Sequence, residues 1–170
     1  FFFIPPKYTH KGKHVTVFEA FNDIDLTCEN STLMKMNDKT RKMLASIPEG
    51  GNFKDAEESL RVKGLMSNIY RKLDRNKPAY TVIASGGGGT WTYHYEEHRP
   101  LTNRERARIQ GFPDNHIFKG NNTEGRRQIG NAVPPIGIYP FAERIAYVLK
   151  GETPMDYNPI ECIQEIKISE

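Results

Sequence analysis

Apolar positions along the chain come in short bursts, so the sequence predicts many brief elements joined by loops. Thr16 and Glu19 stand at capping-box spacing and predict a short helix over 17–22. Asn37 can cap a second helix running to about Ser46, which Pro48 and the pair Gly50 and Gly51 then end. A third short helix is expected over 55–62. Residues 80–85 are rich in β-formers and predict a strand that runs into Gly86, Gly87, Gly88 and Gly89. The alternation of Trp91, Tyr93 and Tyr95 predicts one face of another strand, and the apolar run 1–4 reads as a buried one. Thr102 and Glu105 form a second capping box, for a helix over 103–110 stopped by Gly111 with Pro113 just beyond. Residues 129–135 read as a loop. Ile138, Phe141, Ala142, Ile145 and Leu149 then follow helical spacing. Pro134 and Pro135 suit the first turn of that closing helix, whereas Pro140 predicts a kink or a delayed start. The expected fold class is α+β, a small domain of short strands and short helices with much loop.

Composition narrows the classes. The chain has 170 residues, enough for one domain with a core, with 37% hydrophobic and 26% charged positions. No apolar run is long enough to span a bilayer, so no membrane partner is expected. No signal peptide is visible, and a first residue other than Met reads as a fragment or a processed product. Cys28 and Cys162 lie far apart and fit no metal spacing; they read as reduced thiols of a cytoplasmic protein. His94 and His98 have no thiol or carboxylate pattern beside them, so no metal site is expected. A formal net charge of +3 says little, but its distribution says more. Arg61, Lys63, Arg71, Lys72, Arg75 and Lys77 face one acid, Asp74, within 61–77, while acids dominate after Lys150. A basic centre with an acidic tail fits either a nucleic-acid surface or a solvated charged face.

Three stretches carry a more specific signal. Residues 99–114 read Arg-Pro-Leu-Thr-Asn-Arg-Glu-Arg-Ala-Arg-Ile-Gln-Gly-Phe-Pro-Asp, and residues 128–135 read Gln-Ile-Gly-Asn-Ala-Val-Pro-Pro. Residues 77–90 read Lys-Pro-Ala-Tyr-Thr-Val-Ile-Ala-Ser-Gly-Gly-Gly-Gly-Thr. In this order and at these separations they resemble the ninth motif, the tenth motif and the target-recognition loop of the DNA cytosine-5 methyltransferases. The first twenty residues resemble the segment after that family's eighth motif, so the likeness covers roughly 1–150.

The resemblance implies transfer of a methyl group from S-adenosylmethionine to C5 of a flipped cytosine in double-stranded DNA, after a thiolate adds to C6. It implies a restriction-modification setting. It makes Arg71, Thr81, Ser85, Gly86, Gly87, Gly88, Gly89 and Thr90 candidates for DNA contact. An arginine can grip guanine or hold a phosphate, and glycines let backbone groups approach closely. It makes Asn131, Ala132 and Val133 candidates for contact with the cofactor's methionine end. Some members carry Ser where this chain has Ala132, which leaves a side-chain hydrogen bond there open. Arg104, Glu105, Arg106 and Arg108 take an organising role. The family's Pro-Cys nucleophile, glycine-rich cofactor loop, Glu-Asn-Val acid and Gln-x-Arg-x-Arg segment do not occur in these residues: Cys28 follows Thr27 and Cys162 follows Glu161. No catalytic residue is therefore assigned.

The domain plan that follows is a target-recognition domain over 1–128, a tenth-motif segment and helix over 129–150, and an acidic tail over 151–170. In the family that helix packs on a Rossmann-like cofactor domain. The expected role is the C-terminal, target-recognition portion of a methyltransferase, with an N-terminal catalytic half or subunit as partner. The alternatives are a stand-alone DNA-binding specificity subunit and a structural remnant.

Overall fold

A computed structural model of the chain describes residues 12–62, 69–85 and 88–153. The readings on 1–4, Lys63, Gly86, Gly87, Cys162 and most of the acidic tail lie outside them. Gly12–Ala132 forms one compact unit, and the closing helix belongs to a second.

Local signals place most helices of the first unit. Helix α1, Val17–Phe21, opens with the expected reciprocal box: Glu19 N–H donates to Thr16 Oγ1 at 3.2 Å and Thr16 N–H to Glu19 Oε2 at 2.8 Å. Its first amides, Val17 and Phe18, donate to the carbonyls of Lys77 and Arg75, both at 3.0 Å. Helix α2, Asp38–Ser46, is capped by Asn37, which accepts from Thr40 N–H at 2.7 Å. The helix expected over 55–62 is instead two 3₁₀ turns, Phe53–Asp55 and Glu58–Leu60. Ala56 separates them, extended and buried against Met43 and Leu44 of α2. Helix α3, Asn103–Ile109, carries the Thr102–Glu105 box and stops before Gly111, whose φ of 76° is open to glycine at little cost.

Residues 129–135 are not a loop. Helix α4, Asn122–Asn131, covers the first part, and only 132–134 lie between it and the next helix. Asn121 accepts from the amides of Thr123 and Glu124, both at 3.0 Å, while Glu124 accepts in return from Asn121 at 2.9 Å. Burial of Ile129 in the core holds the last turn in place. Helix α5, Pro135–Lys150, starts at its leading prolines, runs through Pro140 and ends at Gly151 in the left-handed region. Pro140 does not delay the start: the helix begins at Pro135, where the missing N–H is no loss, and Pro140 lies inside it.

The β half of the expected fold class is absent: among the described residues there is no strand, only isolated bridges of Tyr93 with Lys72 and with Pro100. Over 80–85 the burial does alternate, Val82 inward and Thr81 and Ile83 outward. Helix α4, not a second strand, covers that segment, so no ladder forms. Residues 91–95 fail differently, since His94 is buried along with its neighbours Tyr93 and Tyr95. Those residues therefore do not divide into an inner and an outer face.

Three small apolar clusters hold the unit together. Val17, Phe21, Leu73, Tyr95 and Leu101 pack under α1, and Met43, Leu44, Ile47, Ala56 and Tyr93 under α2. Val82, Ala107, Phe118 and Ile129 fill the space between α3 and α4. Among the described residues no helix is long and apolar enough to cross a membrane, and no group of side chains could hold a metal ion.

Candidate nucleic-acid interface

The segment 69–77 threads through the centre of the unit and gathers several of the sequence candidates. Its amides and carbonyls are shared on both sides. Lys72 N–H donates to Gly51 O at 2.9 Å and Leu73 N–H to Tyr93 O at 3.0 Å, while Arg71 O accepts from Tyr93 N–H at 3.0 Å. Tyr70 is held at a φ of 50°, an unfavourable region for a bulky side chain. Its N–H donates to Gly89 O at 2.6 Å, and its ring stacks on Tyr93 with centroids 5.8 Å apart. These contacts hold the strained residue. A Cβ at Gly89 would lie 3.2 Å from the Tyr70 ring, so glycine there lets the loop close down on it.

Arg71 follows directly. Its guanidinium carbon sits 3.1 Å from the centroid of the Tyr80 ring, a cation–π contact that fixes the side chain next to Thr81. Thr81 and Ser85 are exposed, and Gly88–Thr90 forms a 3₁₀ turn with Thr90 half-buried. The structure thus joins Arg71 to Tyr80 and Gly89 to Tyr70, with Thr81 following Tyr80 in the chain. Nothing in the sequence pattern singled out those two tyrosines, although aromatic residues flanking a basic cluster are a usable signal.

The same segment is held from behind by the tenth motif. A Cβ built on Gly130 would fall 2.4 Å from the backbone N and Cα of Ala84. Only glycine lets α4 touch the 80–85 backbone directly. Asn131 is exposed at the last position of α4. Ala132 is half-buried, with its N–H on Ile129 O at 3.3 Å and its carbonyl accepting from Gln110 Nε2 at 3.4 Å. Val133 is 63% exposed and belongs to the second unit. With the Ala132 amide already engaged, the side-chain amide of Asn131 is the group here chemically suited to a zwitterionic ligand.

Helix α3 gathers the loops. Arg104, fully buried, donates to the carbonyls of Glu29, Pro113 and His116 at 3.2, 3.2 and 2.8 Å. Arg108 reaches both Asp114 oxygens, Asp23 and the Asn22 carbonyl. Arg99 grips Glu105 through two parallel bonds of 2.8 Å each. His94 lies under this network, its Nδ1 accepting from the amides of Glu96 and Glu97 at 3.2 and 3.0 Å. Burial pushes its imidazole below the usual histidine range, against the pull of the Glu105 carboxylate 3.9 Å from Nε2.

The profile of the C-5 cytosine-specific DNA methylases matches residues 5–147. The type II methyltransferase M.NgoFVII of Neisseria gonorrhoeae is 54% identical over 134 residues, covering 78% of this chain and 36% of that protein. M.BbvI of Brevibacillus brevis, also a type II methyltransferase, is 48% identical over 160 residues, covering 91% of this chain and 42% of that protein. A solved prophage-encoded DNA modification methyltransferase from E. coli superposes with a TM-score of 0.54 at 26% identity, over 70% of this chain and 29% of that one. The chain thus spans about two fifths or less of the length of the curated relatives it matches. A family match over residues 5–147, most of the chain, shows that it belongs to the C-5 cytosine-specific DNA methylases.

Proposed function

We propose that this chain is the C-terminal, target-recognition portion of a DNA (cytosine-5-)-methyltransferase, of the restriction-modification type its relatives' names describe. The observation that carries the reading is the grouping of Arg71, Tyr80, Thr81 and Gly89. They offer a guanidinium fixed on the Tyr80 ring, the exposed hydroxyl of the residue after that tyrosine and a glycine backbone bonded to Tyr70. These are the chemical means of reading a base edge and holding a phosphate. Ser85, Gly86, Gly87, Gly88 and Thr90 complete the proposed DNA-contacting loop. The target is double-stranded DNA with a flipped cytosine. The recognition domain is assigned to 1–128 and the returning segment to 129–150.

Asn131, Ala132 and Val133 would line one side of the site for the methionine end of S-adenosylmethionine, which supplies the methyl group when bound. Asn131 would hydrogen-bond the zwitterionic end, and the Ala132 carbonyl stays with Gln110. The rest of that site, with the nucleophile, belongs to an N-terminal catalytic half or subunit. The apolar stripe of α5 supports this, because Ile138, Phe141, Ile145 and Leu149 are 47, 43, 50 and 80% exposed.

The test pairs the chain with its catalytic half. Arg71→Ala and Thr81→Ala should weaken cognate DNA binding while leaving the thermal melt unchanged. A lost bidentate base contact costs about 1–3 kcal/mol. Cognate affinity equal to wild type in both variants would show that the recognition loop is misplaced. Tight, sequence-selective binding by this chain alone would favour a stand-alone specificity subunit instead.

A further inference from the structure

Every buried arginine of α3 and its flanks finds acceptors except Arg106, which lies beside a second buried arginine in the same condition. Arg106 is 1% exposed and Arg126, on α4, 7%. Among the described residues Nε and Nη2 of Arg106, Nε and Nη1 of Arg126 and the indole Nε1 of Trp91 are buried without a hydrogen-bond partner. Helices α3 and α4 pack on each other, and the Arg126 guanidinium lies 5.3 Å from the Trp91 ring centroid. The carboxylate next in sequence to Arg106, Glu105, is already committed: Arg99 occupies both of its oxygens and the Thr102 amide one of them. We propose that Arg106, Arg126 and the Trp91 indole N–H form an oxyanion site between α3 and α4 that takes a phosphoryl group.

The chemistry selects the ligand class. Two neighbouring forked cations and a neutral donor leave several buried N–H groups unanswered, and they need a negative charge with several acceptor oxygens. A tetrahedral phosphoryl group supplies both, whereas chloride supplies charge without directed acceptors. Burial, and then the charge of Arg126, pulls the Arg106 guanidinium down to about 10, the direction expected of a cation without its counter-ion. Trp91 is half-buried and its ring lies against Arg126, so its emission is sensitive to an anion bound there. The phosphoryl group can come from the DNA backbone or from free phosphate. Only the DNA source rests on the recognition role proposed above.

Trp91 is the single tryptophan of the chain and reports directly on the site. The full chain is titrated with inorganic phosphate at constant ionic strength in chloride, following tryptophan emission and the thermal melt. A short duplex is then titrated in the presence and absence of phosphate. Wild type should show a saturable emission change and a rise in Tm with phosphate. Arg106→Met and Arg126→Met should each bind at least tenfold more weakly. Arg106→Lys, which keeps the charge but loses the fork, should fall between and covers the case of a Met variant that does not fold. Duplex that competes with phosphate identifies the DNA backbone as the source. Duplex that binds without competing leaves free phosphate as the ligand and this site outside the DNA contact. Wild type that responds to neither ligand, or variants that respond as wild type does, would overturn the site. So would a response seen only on adding a carboxylate-bearing protein partner.

Discussion

Helices α3 and α5 reverse the usual relation between character and burial. Four of the seven residues of α3, Asn103–Ile109, are Arg or Glu, yet Asn103 through Ala107 are all buried. Helix α5, Pro135–Lys150, is largely apolar, yet only Arg144 is buried along it. The difference lies in who supplies the partners. The charges of α3 other than Arg106 are answered within the chain by loop carbonyls, by Asp114 and Asp23, and by the Arg99–Glu105 pair. The helix acts as a hub on which otherwise irregular loops converge. Along α5 the apolar side chains Ile138, Ile145 and Leu149 stay exposed instead, and this is the surface that the proposed catalytic half would cover.

The largest expected effect removes the hub. Arg104→Met would leave the Glu29, Pro113 and His116 carbonyls without their donor in a buried setting. The loss should be on the order of 3–5 kcal/mol, measured by urea denaturation with the slope checked for a change in compactness. A loss under about 1 kcal/mol, within the range of ordinary surface substitutions, would mean that the loops are held by something other than α3.

Next comes the joint between α4 and the 80–85 segment. Gly130→Ala sets a methyl group 2.4 Å from the Ala84 backbone, which cannot yield like a flexible side chain. Overpacking of this kind costs about 1–3 kcal/mol. It should also displace the exposed Thr81 and lower cognate DNA affinity in the complete enzyme by more than it lowers Tm-based stability. Unchanged DNA affinity in a folded Gly130→Ala protein would separate the tenth motif from target recognition.

Much of α3 was legible beforehand, and the reason is local. Capping boxes at Thr16 and Thr102 and the Asn37 cap depend on residues three apart, so sequence alone locates those helix starts. The identical signal at Asn121 and Glu124 also stands in the sequence, where Gly125 and Gly130 argue against a helix. A Cβ at Gly125 would lie 2.8 Å from Asn103 Nδ2, so a larger residue there would make that side chain shift. That requirement is tertiary and leaves no local trace. The strand readings failed for the same kind of reason. The alternation over 80–85 describes which side is buried, but whether a strand or a helix does the burying is decided by residues some forty-five positions away. Arg71 and Thr81 are candidates through the family resemblance, while the Tyr80 ring that fixes Arg71 and the pairing of Arg106 with Arg126 depend on packing.

A smaller effect concerns pH. His94 is buried neutral within the α3 network, with its folded-state pKa lowered chiefly by burial. The unfolded chain therefore takes up a proton near 6.5 that the folded chain does not. Stability should be fully present above that pH and fall as pH drops below it, until the folded-state value is reached. Chemical denaturation from pH 7.5 to 5 should show this slope, and His94→Gln should flatten it. An unaltered slope in the variant would assign the acid sensitivity elsewhere.

The smallest effect on stability falls on α5, and there the contrast between the helices is sharpest. Ile145 is 50% exposed and Phe141 43%, on the same side as Ile138 by their spacing of three and four residues. Ile145→Glu should change the stability of the chain by no more than about 0.5 kcal/mol, as at other exposed positions. A charge placed in the centre of an apolar contact is costly once it is desolvated. The same substitution should therefore abolish association with the catalytic half, measured by calorimetry in the absence of DNA, and with it methyl transfer by the mixed halves. Ile145→Val, which keeps the apolar surface, should preserve both. If Ile145→Glu instead lowers the Tm of the chain alone by several degrees, the stripe is already covered within the chain, and α5 is buried by the same rule as α3. If the variant associates and methylates as wild type does, the catalytic half docks on a different face.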